Sequence, residues 1–326
     1  MISRSSIVLA PLAGGPSTPE LAAAVSNAGG LGFLAAGYLP SNVFAEQLRR
    51  TRELTTEPIG VNLFVLEAVD VDDDAIAAYA LELKPEARAR GVQLGRPRFD
   101  DDWLDEKLEL IAHADVEVVS TTFGCPAAET VARLQQSGTH VWATVTAPHE
   151  ARAARDAGVD ALVVQGAEAG GHRGSWRDDG EPVPVLELLA LIDVGLPLIA
   201  TGGIADRDGV GAVLAAGAQA AQVGTAFLLC PEAGTSAPHR SALHGGGETA
   251  YTRAFTGRVA RGIVNRFMVD HPDAPSAYPH IHHLTAPLRA AARAAGDADG
   301  INLWAGVNFA RAEERPAAEI VELLRP

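Results

Sequence analysis

The chain has 326 residues, 47% of them hydrophobic, enough for one large α/β domain with insertions or two moderate domains. Its 26 basic and 41 acidic side chains give a formal net charge of −15, and no Lys/Arg cluster tracks a phosphate backbone, which argues against a nucleic-acid partner. No uninterrupted run of about 18 apolar residues occurs, so a membrane-spanning helix is not expected, and only two widely separated cysteines, Cys125 and Cys230, point to a reducing, cytoplasmic compartment.

The apolar run at residues 7–13 has the length of a short signal-peptide core, but one Arg precedes it, Pro11 interrupts it and Gly14-Gly15 closes it, so it reads as a first strand. From there a cadence recurs: an Ala-rich helical stretch, a Gly, then a short apolar run ending in Gly, Asn, Ser or Thr. Strands are predicted near residues 6–10, 31–35, 59–64, 116–120, 140–145, 160–164, 196–201 and 220–224. Helices such as 151–157 and 209–216 run between them, stopped by Gly158 and Gly217, which can take the left-handed cap conformation. Eight such units predict an α/β chain of the (β/α)8 TIM-barrel class.

Two stretches fall outside the repeat: residues 67–110, with Asp70, Asp72, Asp73 and Asp74, and residues 231–300, rich in Pro, His and Ala. Both are assigned to a smaller inserted helical subdomain, leaving 1–66, 111–230 and 301–326 for the barrel. Following strands three and eight, the insert is expected over the C-terminal mouth, as a lid on the substrate or as a packing or dimer surface.

Several segments bear on chemistry. Gly30-Leu31-Gly32-Phe33-Leu34-Ala35 matches a dinucleotide fingerprint but lies before and within a strand instead of after one, and is set aside. Lys84 and Lys107 are the only lysines and both lie outside the strand ends, which leaves a Schiff-base enzyme without its amine. Cys125 follows the fourth strand and reads as a small wall residue rather than a nucleophile. After the sixth strand, Gln165 to Gly174 packs four glycines around His172 in a loop whose backbone can approach a ligand closely, although such loops also serve as connectors. Gly202-Gly203 and Gln222-Val223-Gly224-Thr225 end the seventh and eighth strands, where barrels commonly bind phosphate through backbone N–H groups. His280-Ile281-His282-His283 lacks a carboxylate or Cys at ligand spacing and sits between Pro279 and Pro287 in what reads as an irregular region, so no metal is expected.

Taken together, Ala10-Pro11-Leu12-Ala13-Gly14-Gly15, Gly60-Val61-Asn62-Leu63-Phe64, the Ser120 to Pro126 run, the Gln165 to Gly174 loop, Thr201 to Asp206 and Gln222 to Thr225 resemble the nitronate monooxygenases, once called 2-nitropropane dioxygenases. The Tyr278 to Arg289 stretch and Leu303-Trp304-Ala305-Gly306 extend the resemblance over essentially the whole chain. It implies FMN bound by Ala10, Pro11, Leu12, Asn62, Thr122, Gln165, Gly170, Gly171, Gly202, Gly203, Gln222, Val223, Gly224 and Thr225, with His172 as the catalytic residue. A departure follows Gly306, where relatives often continue with a Gly and an aromatic but this chain reads Val307-Asn308-Phe309, which bears on the substrate pocket.

The implied reaction is oxidation of an alkyl nitronate, or of a nitroalkane, by O2 to a carbonyl compound and nitrite, by a monomer or homodimer. His172 suits two tasks: a neutral imidazole could remove the α-proton of a nitroalkane, and a protonated one could hold an anionic nitronate. A NAD(P)H-dependent FMN reductase of quinones or enoyl-acyl-carrier-protein would use the same scaffold. A flavin-free barrel that binds a phosphorylated ligand would use the same glycine loops. A barrel dehydrogenase with a Cys nucleophile after the sixth strand is disfavoured, because residues 165–180 contain no Cys.

Overall fold

The computed structural model describes residues 6–326. Eight parallel strands form one sheet: β1 (Ile7–Leu9), β2 (Gly32–Ala35), β3 (Ile59–Phe64), β4 (Val118–Thr122), β5 (His140–Val145), β6 (Ala161–Gln165), β8 (Leu198–Thr201) and β9 (Ala220–Val223). Between β6 and β8 the chain makes a two-residue strand, β7 (Gly171–His172), which belongs to a different sheet. The barrel is closed between β1 and β2 by a bridge from Val8 to Leu31, where Leu9 N–H donates to Leu31 O at 2.9 Å and Leu31 N–H to Ile7 O at 3.0 Å.

The helices begin and end where local chemistry directs. Thr18 caps Pro19–Asn27 by accepting from Leu21 N–H, and Asp206 caps Arg207–Ala215 by accepting from Gly209 N–H at 2.8 Å. Gly158 (φ +88°) and Gly217 (φ +102°) turn the chain out of Pro148–Asp156 and Arg207–Ala215 in the left-handed region that a Cβ disfavours.

Strand alternation sorts the barrel residues by face. One set packs outward against the helices, for example Ile59, Val61 and Leu63 of β3 with Leu108, Ile111 and Val131. The other set fills the interior, where Val8, Leu31, Phe33, Val118, Trp142, Val163 and Ile199 form a separate apolar plug. Phe33 and Trp142 meet at 5.9 Å between ring centroids, and the Phe33 ring fills the space above Gly60, where a Cβ would lie 2.3 Å from it. Burial of each large plug side chain stabilises by roughly 1.5–3 kcal/mol. One step further along the strands the interior becomes polar, with Asn62, Thr122, Thr144, Gln165, Thr201 and Gln222 at the C-terminal ends.

Four expectations need correction. The fourth strand runs two residues later than 116–120: Val116 turns back on Ala114, while the polar Ser120-Thr121-Thr122 continue the strand until Phe123 takes φ +75°. Helix Leu104–Ala112 crosses the boundary placed at 110, and it lays Leu108 and Ile111 against the barrel, so the insert closes earlier in the chain. The segment 231–300 is not purely helical: besides Ala237–His244, Arg266–Asp270 and His280–Ala294 it contains β10 (Thr249–Thr252) and β11 (Ala260–Ile263), which pair antiparallel in the order β10-β11-β7. These strands are short and glycine-flanked, which hid their period.

The inserted segments share their own core, in which Ile76, Tyr79 and Leu83 of helix Asp73–Glu82 and its C-cap meet Phe255, Phe267, Ile281, Leu284 and Leu288. Tyr79 donates its hydroxyl to Ala254 O at 2.7 Å across that junction. The stretch read as irregular between Pro279 and Pro287 is part of helix His280–Ala294, with Pro287 inside it. Proline cannot bond the carbonyl one turn earlier. Gly95 packs against the helix at that place, where a Cβ would lie 1.9 Å from His283 O, and its N–H donates to Leu284 O at 2.9 Å.

Candidate active site

The polar strand ends open into a cavity of about 490 Å³, within the size range of small-molecule and cofactor sites. Of the residues singled out in the sequence, Ala10, Pro11, Leu12, Asn62, Thr122, Gln165, Gly170, Gly171, His172, Gly202, Gly203, Gln222, Gly224 and Thr225 line it. Val223 does not: strand alternation turns it away from Gln222 into the outer helical layer, where it is buried.

The barrel side offers neutral polar groups. Asn62 donates from Nδ2 to Ser120 O, Ser120 Oγ and Thr122 Oγ1 at 3.2, 2.9 and 3.0 Å, which fixes the amide orientation and leaves its carbonyl oxygen available as an acceptor. Gln222 is buried, and among the described residues its Nε2 has no hydrogen-bond partner. Such an orphaned donor beside a cavity marks a place for a ligand acceptor. Gln165 behaves differently, because its amide donates to His172 O at 3.1 Å and accepts from Gly174 N–H at 2.6 Å, stapling its own loop.

Close backbone approach shapes the far end. At Gly170 a Cβ would lie 2.3 Å from Ala305 C and 2.4 Å from Gly306 N, so the loop after β6 and the 305–306 segment touch only because residue 170 is glycine. Gly306 N–H donates to Thr225 Oγ1 at 3.0 Å, and Asn308 Nδ2 donates to Gly203 O at 2.6 Å. Gly203 takes φ +69°, and among the described residues its N–H has no intramolecular acceptor. This glycine-lined end, whose Glu168 neighbour bonds Val185 N–H and does not line the cavity, suits a phosphate bound through amides.

The opposite side is aromatic and basic. His172 lies among Trp304, Phe123 and Tyr278, with ring centroids at 5.6, 5.7 and 5.7 Å, and its Nε2 is 2.9 Å from Thr256 Oγ1. Burial, reinforced by the Arg258 and Arg289 guanidiniums, pushes the His172 imidazole down to about 3, so it is neutral near pH 7. Of the two tasks open to it, a cationic anchor is therefore disfavoured. Arg258 lies over the Phe123 ring at 4.2 Å and donates to Ser175 O.

Residues that sequence reasoning missed include Tyr38, Phe123, Thr256, Arg258 and Arg289, while His282 had been weighed only as a metal ligand. Tyr38 (φ +69°) and Phe123 (φ +75°) hold backbones that bulky side chains rarely adopt, and both present rings to the cavity. Tyr38 N–H donates to Asp102 at 2.8 Å, and Asp102 pairs with the buried Lys107 at 2.7 Å. Lys107 also donates to Ala36 O at 2.9 Å, so its amine does reach the end of β2, tied into this ion pair. Burial raises the Asp102 carboxyl to about 6 and lowers the Lys107 amine. Both shifts oppose charge, whereas the 2.7 Å contact favours it; at neutral pH the contact geometry is the stronger argument for an ionised pair. Cys125 packs on the barrel's outer core and burial pushes its thiol up to about 12, which suits the wall role.

Comparison with known proteins agrees with this architecture. The family model described as nitronate monooxygenase matches residues 1–326. A nitronate monooxygenase of Pseudomonas aeruginosa is 39% identical, with 98% of this chain and 94% of the relative covered. The crystal structure of a nitroalkane oxidase from Streptomyces ansochromogenes superposes with a TM-score of 0.96 at 48% identity, covering 99% of this chain and 95% of the other. FabK from Thermotoga maritima shares the architecture at a TM-score of 0.75 and 25% identity, over 99% and 92% of the two chains. Among the described residues no helix is long and apolar enough to cross a membrane. The chain belongs to the nitronate monooxygenase family of flavin-dependent oxidoreductases.

Proposed function

We propose that this protein is a cytoplasmic enzyme, monomeric or homodimeric, that uses FMN to oxidise alkyl nitronates with O2, giving a carbonyl compound and nitrite. The observation that carries the reading is that His172, half-buried among aromatic rings, lines the same cavity as the glycine-rich strand ends. Gly203 and the Gly224-Thr225 turn would hold the phosphate through backbone N–H groups. Asn62 and Gln222 would meet polar atoms of the ring system, the first as acceptor and the second through its orphaned donor. Gln165 and Gly171 would support the loop that carries His172, and residues 67–103 and 231–300 would close over the substrate. When bound, FMN supplies the redox capacity that the side chains lack.

His172 would act on neutral nitroalkanes as a general base. Its Nε2 carries the hydrogen if Thr256 accepts it, and the Thr256 hydroxyl is within 3.3 Å of Arg258 O to pass its own hydrogen on. That arrangement leaves the Nδ1 lone pair for the substrate α-proton. Preformed nitronates need no such step.

The test is an absorbance spectrum of the purified protein, then anaerobic mixing with propyl-1-nitronate and, separately, with NADH and NADPH. Bleaching of the flavin by the nitronate and nitrite release on admission of air are the expected results. Bleaching only by a nicotinamide would move the assignment to a NAD(P)H-dependent reductase.

A further inference from the structure

Neutral His172 leaves the negative charge of a nitronate without a counter-charge on that residue, and the cap supplies one elsewhere. Arg289 lines the cavity from helix His280–Ala294 and is buried. Its Nε donates to Thr285 Oγ1 at 3.2 Å, and its Nη2 donates to His282 O at 2.8 Å and to His282 Nδ1 at 3.2 Å. Among the described residues Nη1 has no protein partner and no carboxylate pairs with the guanidinium. The polar side chains nearest in charge are Tyr38 and Tyr278, both kept neutral by burial, and Arg293, which repels it. Arg258, a second buried guanidinium behind the Phe123 ring, differs in having Asp178 and Glu150 within electrostatic reach.

The contact with His282 has a second consequence. A guanidinium only donates, so His282 Nδ1 must accept, which places the imidazole hydrogen on Nε2. That ring stacks on Tyr38, with centroids 4.2 Å apart and planes 3° from parallel, which fixes its orientation, and His282 also lines the cavity. Nε2 has no protein partner among the described residues. Arg289 thus presents unpartnered N–H groups to the cavity and, through Nδ1, sets the His282 tautomer that carries its hydrogen on Nε2.

We propose that Arg289 is the anion-binding subsite that holds the two-oxygen nitronate group in the cavity that His172 also lines. This inference rests on the nitronate reading for its substrate, although the subsite is argued from the unpaired guanidinium. A buried cation is stable only when an opposite charge or dense hydrogen bonding compensates it. Guanidinium is the side chain best matched to a planar pair of oxygens. The subsite separates two roles that a single histidine would otherwise have to combine: His172 handles the proton and Arg289 the charge.

The experiment compares the flavin-loaded wild type with Arg289→Met and Arg289→Lys. Nitrate, a planar and unreactive oxyanion, is titrated against the flavin absorbance spectrum, and KM and kcat are measured with propyl-1-nitronate and with neutral 1-nitropropane. Arg289→Met is expected to keep its flavin, to weaken nitrate binding and raise KM for the nitronate about a hundredfold, and to change KM for the neutral nitroalkane by less than about threefold. Arg289→Lys should recover much of the nitronate affinity by restoring the charge. Unchanged nitrate and nitronate affinities in Arg289→Met overturn the proposal, as does loss of flavin from both variants, which would assign the guanidinium to the cofactor. Should Arg289→Met fail to fold, the wild type decides: anaerobic binding must favour the nitronate over its neutral parent by at least about tenfold, and equal affinity rejects the subsite. If no nitronate reduces the wild-type flavin, the functional reading fails, while the nitrate titration still reports on Arg289.

Discussion

The barrel side and the cap side of the cavity are both polar, yet they are polar in different ways. The strand ends contribute amides, hydroxyls and glycine backbone with no ionisable side chain, whereas the cap and the loop that joins it bring His172, His282, Arg289 and Arg293. A neutral, rigid floor can bind a large cofactor through many weak directional contacts. Buried charge on the roof is costly in isolation and is retained where a reacting or bound group compensates it. The difference predicts that substitutions on the two sides fail in different ways: on the roof turnover is lost while flavin remains, and on the floor flavin itself is lost.

The largest effect is expected at His172. His172→Asn removes the general base without disturbing the strand ends, so turnover of a neutral nitroalkane should fall by about 10²–10⁴-fold at full flavin content, with a much smaller loss for preformed nitronate. Steady-state rates with both substrates, normalised to bound flavin, make the check. Equal losses for the two would remove proton abstraction from the role of His172.

The floor counterpart is Gly170→Ala. A Cβ there would have to displace the backbone of Ala305 and Gly306, and Gly306 N–H is what Thr225 Oγ1 accepts. Overpacking of this kind costs about 1–3 kcal/mol. The variant should therefore bind flavin roughly tenfold to a hundredfold more weakly, measured as flavin retained after dialysis, with per-flavin turnover close to wild type. Full retention would show that the 305–306 segment yields freely and that the glycine is not needed for close approach.

The same division explains what the sequence disclosed. The floor was legible because strand period and barrel topology fix where a strand-ending residue must point, so Gly203 and Gln222 could be placed without knowing their contacts, whereas Asn62 came from the family resemblance. Val223 was the exception, carried along with its neighbours although alternation turns it outward. The roof was not legible in this way. It is assembled from Tyr38, Phe123, Thr256, Arg258, His282 and Arg289, which are far apart in the chain and meet through non-glycine positive-φ backbones, a proline-containing helix and two short glycine-flanked strands. Local propensity carries little trace of any of these. The Tyr278 to Arg289 stretch was noticed only as part of a family resemblance, without the chemistry that its side chains perform.

The smallest effect, and the one that most sharply separates roof from floor, is the pH dependence of stability. Burial pushes His172 down to about 3 and His239 to about 4, and holds His282 well below its ordinary 6.5, with nearby guanidiniums adding to the shift. Folded protein keeps these rings neutral while the unfolded chain takes up protons below about 6.5, so their contribution is fully present above that pH and is lost as pH falls toward 3–4. Each such histidine removes up to about 1.4 kcal/mol per pH unit in that window. Asp102 works the other way: its folded carboxyl is raised to about 6, so between 6 and 3.8 acidification favours the folded state, a single group against the several histidines whose folded pKa is lowered. The floor has no titrating side chain, so flavin should stay with the folded fraction while the melting temperature drops from pH 6.5 to 4.5. His282→Phe, which keeps a ring for Tyr38 to stack on, should make that slope shallower by about one proton. A melting temperature independent of pH over this range would mean that the cap histidines are already hydrated or charged in the folded protein, and the electrostatic contrast between the two sides would not hold.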